Sequence, residues 1–180
     1  MTIIKGPDGY AVNVDSQNRA QTYSIVQDLE QTLLLTGLLT SVYFAETPSG
    51  ADDYFLYIKN IGTSDIGFNK FMFSSTVATK ILVESVSGTP SFVTGTTPSI
   101  TNLNLASPLA PAIEITHDTD ITGLASEGVL TFAEAGAADT EYQSGASGGI
   151  VIPQGKAIAF KRVAATGTIT MNIPLGILAF

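Results

Sequence analysis

The sequence predicts an all-β chain: a single domain over residues 1–180, built as an antiparallel β-sandwich of jelly-roll type. Three observations carry that expectation. Short runs alternate apolar and polar residues at a two-residue step, as in Val12-Asn-Val-Asp and in Val77-Ala-Thr-Lys-Ile-Leu-Val-Glu, which is the pattern of a strand with one covered face. Breakers rich in Gly, Pro, Asn and Ser separate the runs, among them Thr47-Pro-Ser-Gly50, Ser87-Gly-Thr-Pro90 and Pro153-Gln-Gly155. Helical periodicity is confined to one weak stretch, so a parallel α/β sheet is not expected. The composition is 44% apolar with a mean hydropathy of +0.29. A chain of this length buries about 70% of its unfolded surface.

Taken in chain order, VNVDSQNRAQTYSIV reads as a hairpin of strands 10–14 and 20–27 joined by polar turn residues. Residues 1–18 are placed to act as an N-terminal β-arm, with Tyr10, Val12, Val14 and Arg19 as candidate interface residues. Ile25, Leu29 and Leu33 recur at a four-residue step and mark the one candidate helix, 24–36, although its threonines and Gly37 weaken it. Strands follow at 38–45, 54–60, 66–73 and 77–86. In the last of these, Lys80, Leu82 and Glu84 share one face and Thr79, Ile81, Val83 and Ser85 the other. Further strands are expected at 112–116, 128–132, 149–152, 156–163 and 168–173. Residues 87–112 and 134–149, rich in Ser, Thr, Gly, Pro and Ala, are expected to be long loops.

Charge is distributed unevenly. The formal net charge is −8, and all eight Lys and Arg residues lie before residue 81 or after residue 155. Between those limits stand Glu84, Glu114, Asp118, Asp120, Glu127, Glu134, Asp139 and Glu141 with no base, so residues 87–149 form an acidic, loop-rich excursion. A solvated surface that keeps the protein soluble explains this most simply. Scattered cations make no phosphate-binding stripe, and nucleic acid is not expected as a partner. The absence of cysteine removes disulfides, thiolate metal sites and cysteine nucleophiles. MTIIKGPDG lacks the apolar run of a secretory signal, and LLLTGLL at 33–39 is far shorter than the ~20 residues of a membrane helix, so no membrane is expected.

Chemistry-bearing motifs are sparse. The lone His117 lies beside Asp118 and Asp120, but a hydrolytic triad needs a facing serine, and no Gly-x-Ser-x-Gly elbow occurs. Asp118-x-Asp120-x-Thr122-Gly123 mimics the first half of a calcium loop, yet Val129 occupies the position of its bidentate Glu. Asp118 and Asp120 are therefore weak metal candidates only. Asp52 and Asp53 precede a strand as solvated turn residues, and no phosphate or dinucleotide loop is present. Tyr54, Phe55, Tyr57, Phe68, Phe71 and Phe73 cluster in adjacent strands, where core packing outweighs a sugar platform. No cofactor and no catalytic residue are expected.

The opening Gly6-Pro-Asp-Gly-Tyr-Ala-Val-Asn-Val-Asp-Ser-Gln-Asn-Arg19 and the Thr22-Tyr-Ser-Ile-Val26 that follows resemble the start of small virion structural proteins of tailed bacteriophages. The Tyr57-Ile-Lys-Asn60 strand end and Ile150-Val-Ile-Pro-Gln-Gly-Lys-Ala-Ile-Ala159 are similar to theirs as well. The likeness is greatest to head decoration, or cement, proteins. It implies a non-enzymatic β-domain, made in the host cytoplasm, that sits on the capsid surface as a homotrimer and binds the major capsid protein or another virion protein. Lys156, Lys161 and Arg162 then become interface candidates toward acidic partner surfaces. The alternative is a tail, fibre or receptor-binding module that recognises carbohydrate through Ser/Thr-rich loops and exposed tyrosines.

Overall fold

In the computed structural model the described residues are 2–5, 11–14, 20–21, 36–136, 138, 142–163 and 166–178. Among them are twelve strands and no helix, arranged as antiparallel sheets in an all-β sandwich. The candidate helix at 24–36 lies almost wholly outside the described residues, as do Tyr10 and Arg19.

Strands β1 (Thr2–Lys5), β2 (Ala11–Val14) and β3 (Ala20–Gln21) form a small sheet of their own. Ile4 opposes Val12, and Val14 opposes Ala20. A five-stranded sheet contains β4 (Leu39–Glu46), β6 (Asp65–Ser75), β8 (Ser99–Asn102), β10 (Tyr142–Ile152) and β12 (Ile169–Leu178), in the order β10-β6-β12-β4-β8. The facing layer is a closed ring of β5 (Tyr54–Asn60), β7 (Thr79–Phe92), β9 (Ile113–Ala135) and β11 (Ala157–Val163), ordered β11-β5-β9-β7.

The main core lies between these two layers. Val42 and Phe44 of β4, Phe71 and Phe73 of β6, and Met171 and Ile173 of β12 meet Leu56, Ile58, Val83 and Phe160 from the ring. The alternation of LTSVYFAE in β4 puts Val42 and Phe44 inward and leaves Tyr43 outward. A second cluster, Tyr57, Val86, Ile121, Ala157 and Ala159, draws on all four ring strands. Its members alternate along β5 and β11 with main-core residues, so these strands are buried on both faces. That is why YFLYIKN and AIAFKRV read as continuous apolar runs. A register shift at Phe55 against both neighbours turns it into the main core beside Leu56.

Strand β5 matches the sequence expectation residue for residue; the acidic stretch does not. The strands expected at 112–116 and 128–132 are one strand of 23 residues, β9, which pairs with β5 through Ile121 and with β7 from Ile121 to Ala135. Most of residues 122–130 are exposed, so they carry Ser, Thr, Gly and Glu and show no apolar period. Strand β7 continues to Phe92, β8 lies inside the expected 87–112 loop, and β10 begins at Tyr142 inside the expected 134–149 loop. The β7–β9 register shifts just after Gly88 (φ 102°), opposite Gly123 (φ 76°). A Cβ on Gly88 would stand 2.4 Å from the Gly123 carbonyl oxygen, and one on Gly123 would stand 2.4 Å from that of Thr89.

Asn60 ties the ring to the open sheet. Its buried amide donates to the carbonyls of Ser64 at 2.9 Å and Ile152 at 2.8 Å, and its Oδ1 accepts from the Gly62 amide at 2.9 Å. The turn from β5 to β6 is thereby fixed against the end of β10.

Candidate functional site

Of the polar residues singled out in the sequence, His117 stands apart, whereas Asp53, Asp118, Asp120 and Arg162 lie close enough for their charges to interact in pairs. His117 sits on β9 with its Nδ1 2.7 Å from Glu46 Oε2, and its ring stacks on Phe44 at a centroid distance of 4.9 Å. Among the described residues no serine hydroxyl bonds to that ring. The side chain works as a link between β9 and the end of β4, part-buried at the sandwich edge.

Asp118, next in sequence, points the other way and is fully buried. Its Oδ2 accepts the backbone N–H groups of Val93, Thr94 and Gly95, and its Oδ1 accepts the Thr119 N–H and the Thr94 hydroxyl. Burial pushes the carboxyl up, but the hydrogen bonds from Thr94, Thr119 and Gly95 outweigh this and hold it below the usual carboxylate range. The carboxylate clamps the loop between β7 and β8, with its lone pairs committed to donors. Asp120 is shifted upward, by burial first and then by the charges of Asp53 and Asp118. Among the described residues no three His, Asp or Glu side chains converge on a point that would hold a metal ion.

The acidic middle is not wholly a solvated face. Glu114, Glu127 and Glu134 are exposed, whereas Glu84 is buried. The Tyr54 hydroxyl donates to Glu84 Oε2 at 2.5 Å. Burial, then the Glu84 hydrogen bond and charge, raise the Tyr54 phenol to about 12. Among the cations, Lys156 is exposed, and Lys161 lies 3.9 Å from Asp52 with its ammonium 5.5 Å from the Tyr54 ring centre. Arg162, expected to serve an interface, is instead fully buried and donates from Nη1 to the Gly167 carbonyl at 3.2 Å. Burial lowers its pKa and the Asp53 charge opposes that shift. The side chain alternates inward next to Lys161, so it braces the strand end from inside.

The six clustered aromatic residues divide as core packing requires: Phe55, Tyr57, Phe68, Phe71 and Phe73 are buried and Tyr54 is part-buried. The exposed aromatic and aliphatic surface lies elsewhere. On β8 and the segment after it, Ile100, Leu103, Leu105 and Leu109 are exposed, with Leu105 at 89%. On β9, Val129, Leu130 and Phe132 are exposed, the Lys80 ammonium resting 4.5 Å from the Phe132 ring centre.

A groove of about 250 Å³ opens on the outer face of the five-stranded sheet, lined by side chains that include Tyr43, Met72, Ser74, Thr170 and Asn172. Tyr43 and Asn172 are the residues that sequence inspection passed over. The available signal was the inward placing of Val42 and Phe44, which sends the intervening tyrosine outward. No protein-family model matches the chain, nor does any curated protein sequence.

Proposed function

We propose that the chain is a non-enzymatic structural module that acts through surfaces shared with its neighbours: a virion protein that binds the outside of an assembled phage capsid as a homotrimer and stabilises the shell. One observation carries this proposal: β1–β3 hydrogen-bond as a sheet of their own, separate from the two layers of the sandwich. A sheet of strands this short is marginal without a surface to cover it. An arm that completes itself on a neighbouring subunit resolves that deficit by burying a face or extending a sheet edge. Val12 and Val14 lie in β2, at the centre of this arm.

Exposed aliphatic clusters on β8 and β9 add apolar area of the kind an interface core uses. A ligand that binds only the assembled shell shifts its stability by mass action, and such a ligand needs area more than a reactive centre. The test is co-sedimentation of the purified protein with mature and with unexpanded capsid shells of the phage that encodes it, followed by thermal disruption of the particles. Saturable binding to the mature shell and a raised disruption temperature are expected. Absence of binding to either shell would overturn the proposal.

A further inference from the structure

We infer that the groove on the outer face of the five-stranded sheet is a binding site for one neutral sugar ring. The inference goes beyond the assembly proposal and is independent of whether the module sits on a head or a tail.

The register builds the groove. Met72, Asn172 and Tyr43 stand in one row across β6, β12 and β4, because Asn172 pairs with Met72 on one side and with Tyr43 on the other. Two large side chains therefore flank a small one. In the adjoining row Thr170 pairs with Ser74. The outcome is a trough with a tyrosine ring and a thioether as walls and an amide with two hydroxyls as floor. Tyr43 is 56% exposed, leaving a ring face open to stack on a ligand. Asn172 is oriented from behind: the Ser41 hydroxyl donates to its Oδ1 at 2.6 Å. Among the described residues its NH₂ group has no acceptor, so two donors remain for a ligand.

The chemistry selects the ligand class. A pyranose presents a C–H face that packs on an aromatic ring, with hydroxyls around its rim that both donate and accept. Hydroxyl and amide side chains answer that rim in either sense. A nucleobase, with its fixed donor and acceptor pattern, gains less from Ser74 and Thr170. Among the described lining residues none is an acid or base other than the Tyr43 phenol, a set that suits a neutral ligand better than a carboxylated or phosphorylated one. Drug-sized ligands occupy pockets of roughly 300–1,000 Å³. The smaller volume here fits a single ring with its neighbours left in solvent.

The test is a titration of the ¹⁵N-labelled full chain with methyl glucoside, methyl galactoside and methyl mannoside, with glucuronic acid and adenosine as comparators. Saturable amide shifts confined to residues around Tyr43, Met72, Ser74 and Asn172 are expected for at least one neutral glycoside. Tyr43→Ala should weaken that binding about tenfold, while Tyr43→Phe, which keeps the ring face, should retain it. Asn172→Ala should weaken it as well. No saturable shift with any glycoside, tighter binding of adenosine or glucuronic acid, or an effect insensitive to Tyr43→Ala would each overturn the inference. Shifts at the same amides on raising protein concentration without sugar would assign the groove to self-association and overturn it too.

Discussion

The Tyr54 hydroxyl and the Glu84 carboxylate meet at 2.5 Å across a ring in which their strands, β5 and β7, share no ladder. β11 lies between them on one side and β9 on the other. The contact joins the two strands beside the second core cluster, against which Tyr54 packs.

Tyr54→Phe removes the donor and leaves a buried carboxylate without it. A hydrogen bond to a charged group contributes about 1.5–3 kcal/mol. Because Tyr54 is only part-buried, a loss near the lower end of that range is expected, read from the urea midpoint. In a Glu84→Gln background the same substitution should cost less.

The phenol supplies a pH signature. Its folded pKa is raised to about 12, above the value near 10 of an unfolded tyrosine. The protonated form is thus favoured by folding, and its contribution is complete below pH 10 and lost as pH rises toward 12. Ultraviolet titration should show a late tyrosine step near pH 12, and Tyr54→Phe should diminish it, while the Tyr57 phenol, also raised by burial and by the Glu114 charge, keeps its own upward shift.

Asp118 has the opposite sign. Its folded pKa is depressed, so its contribution is present above about pH 4 and lost as pH falls through the folded value. Asp118→Asn turns an NH₂ group toward one of the two sets of donors that the carboxylate now satisfies. A cost of about 2–3 kcal/mol and a flatter acid limb of the stability curve are expected, measured by urea unfolding between pH 3 and 7.

These residues show what the sequence revealed and what it hid. β5 was legible because Phe55, Leu56, Tyr57 and Ile58 are all buried, and a run buried on both faces needs no partner to be recognised. The middle of β9 was not: around Ser126 and Gly128 its side chains are exposed, and hydrogen bonding to β7, supplied from 40 or so residues earlier, holds the backbone extended. Glu84 alternates with Val83 as read, but its burial depends on Tyr54, which only the closed ring brings near. The groove was invisible for a similar reason. Tyr43, Asn172 and Met72 become neighbours only through the pairing of β4, β12 and β6.

Gly88 and Gly123 stand at a register shift of the β7–β9 ladder. Each has positive φ, and an added Cβ at either would collide with backbone. Gly88→Ala or Gly123→Ala should each cost about 1–3 kcal/mol. Alanine at Gly155, where φ is also positive but the Cβ meets open space, should cost less. Thermal unfolding of the three variants gives the order.

The proposed association of the chain through its first strands is tested most directly by light scattering on the full chain beside a chain lacking residues 1–18. Among the described side chains the core clusters are built from residues 39–178, and circular dichroism and urea unfolding of the shortened chain check that its sandwich is kept. The expected result is a particle of three chains for the full protein and a folded monomer for the shortened one. Equal association of both, or a full-length monomer at every concentration, would contradict it.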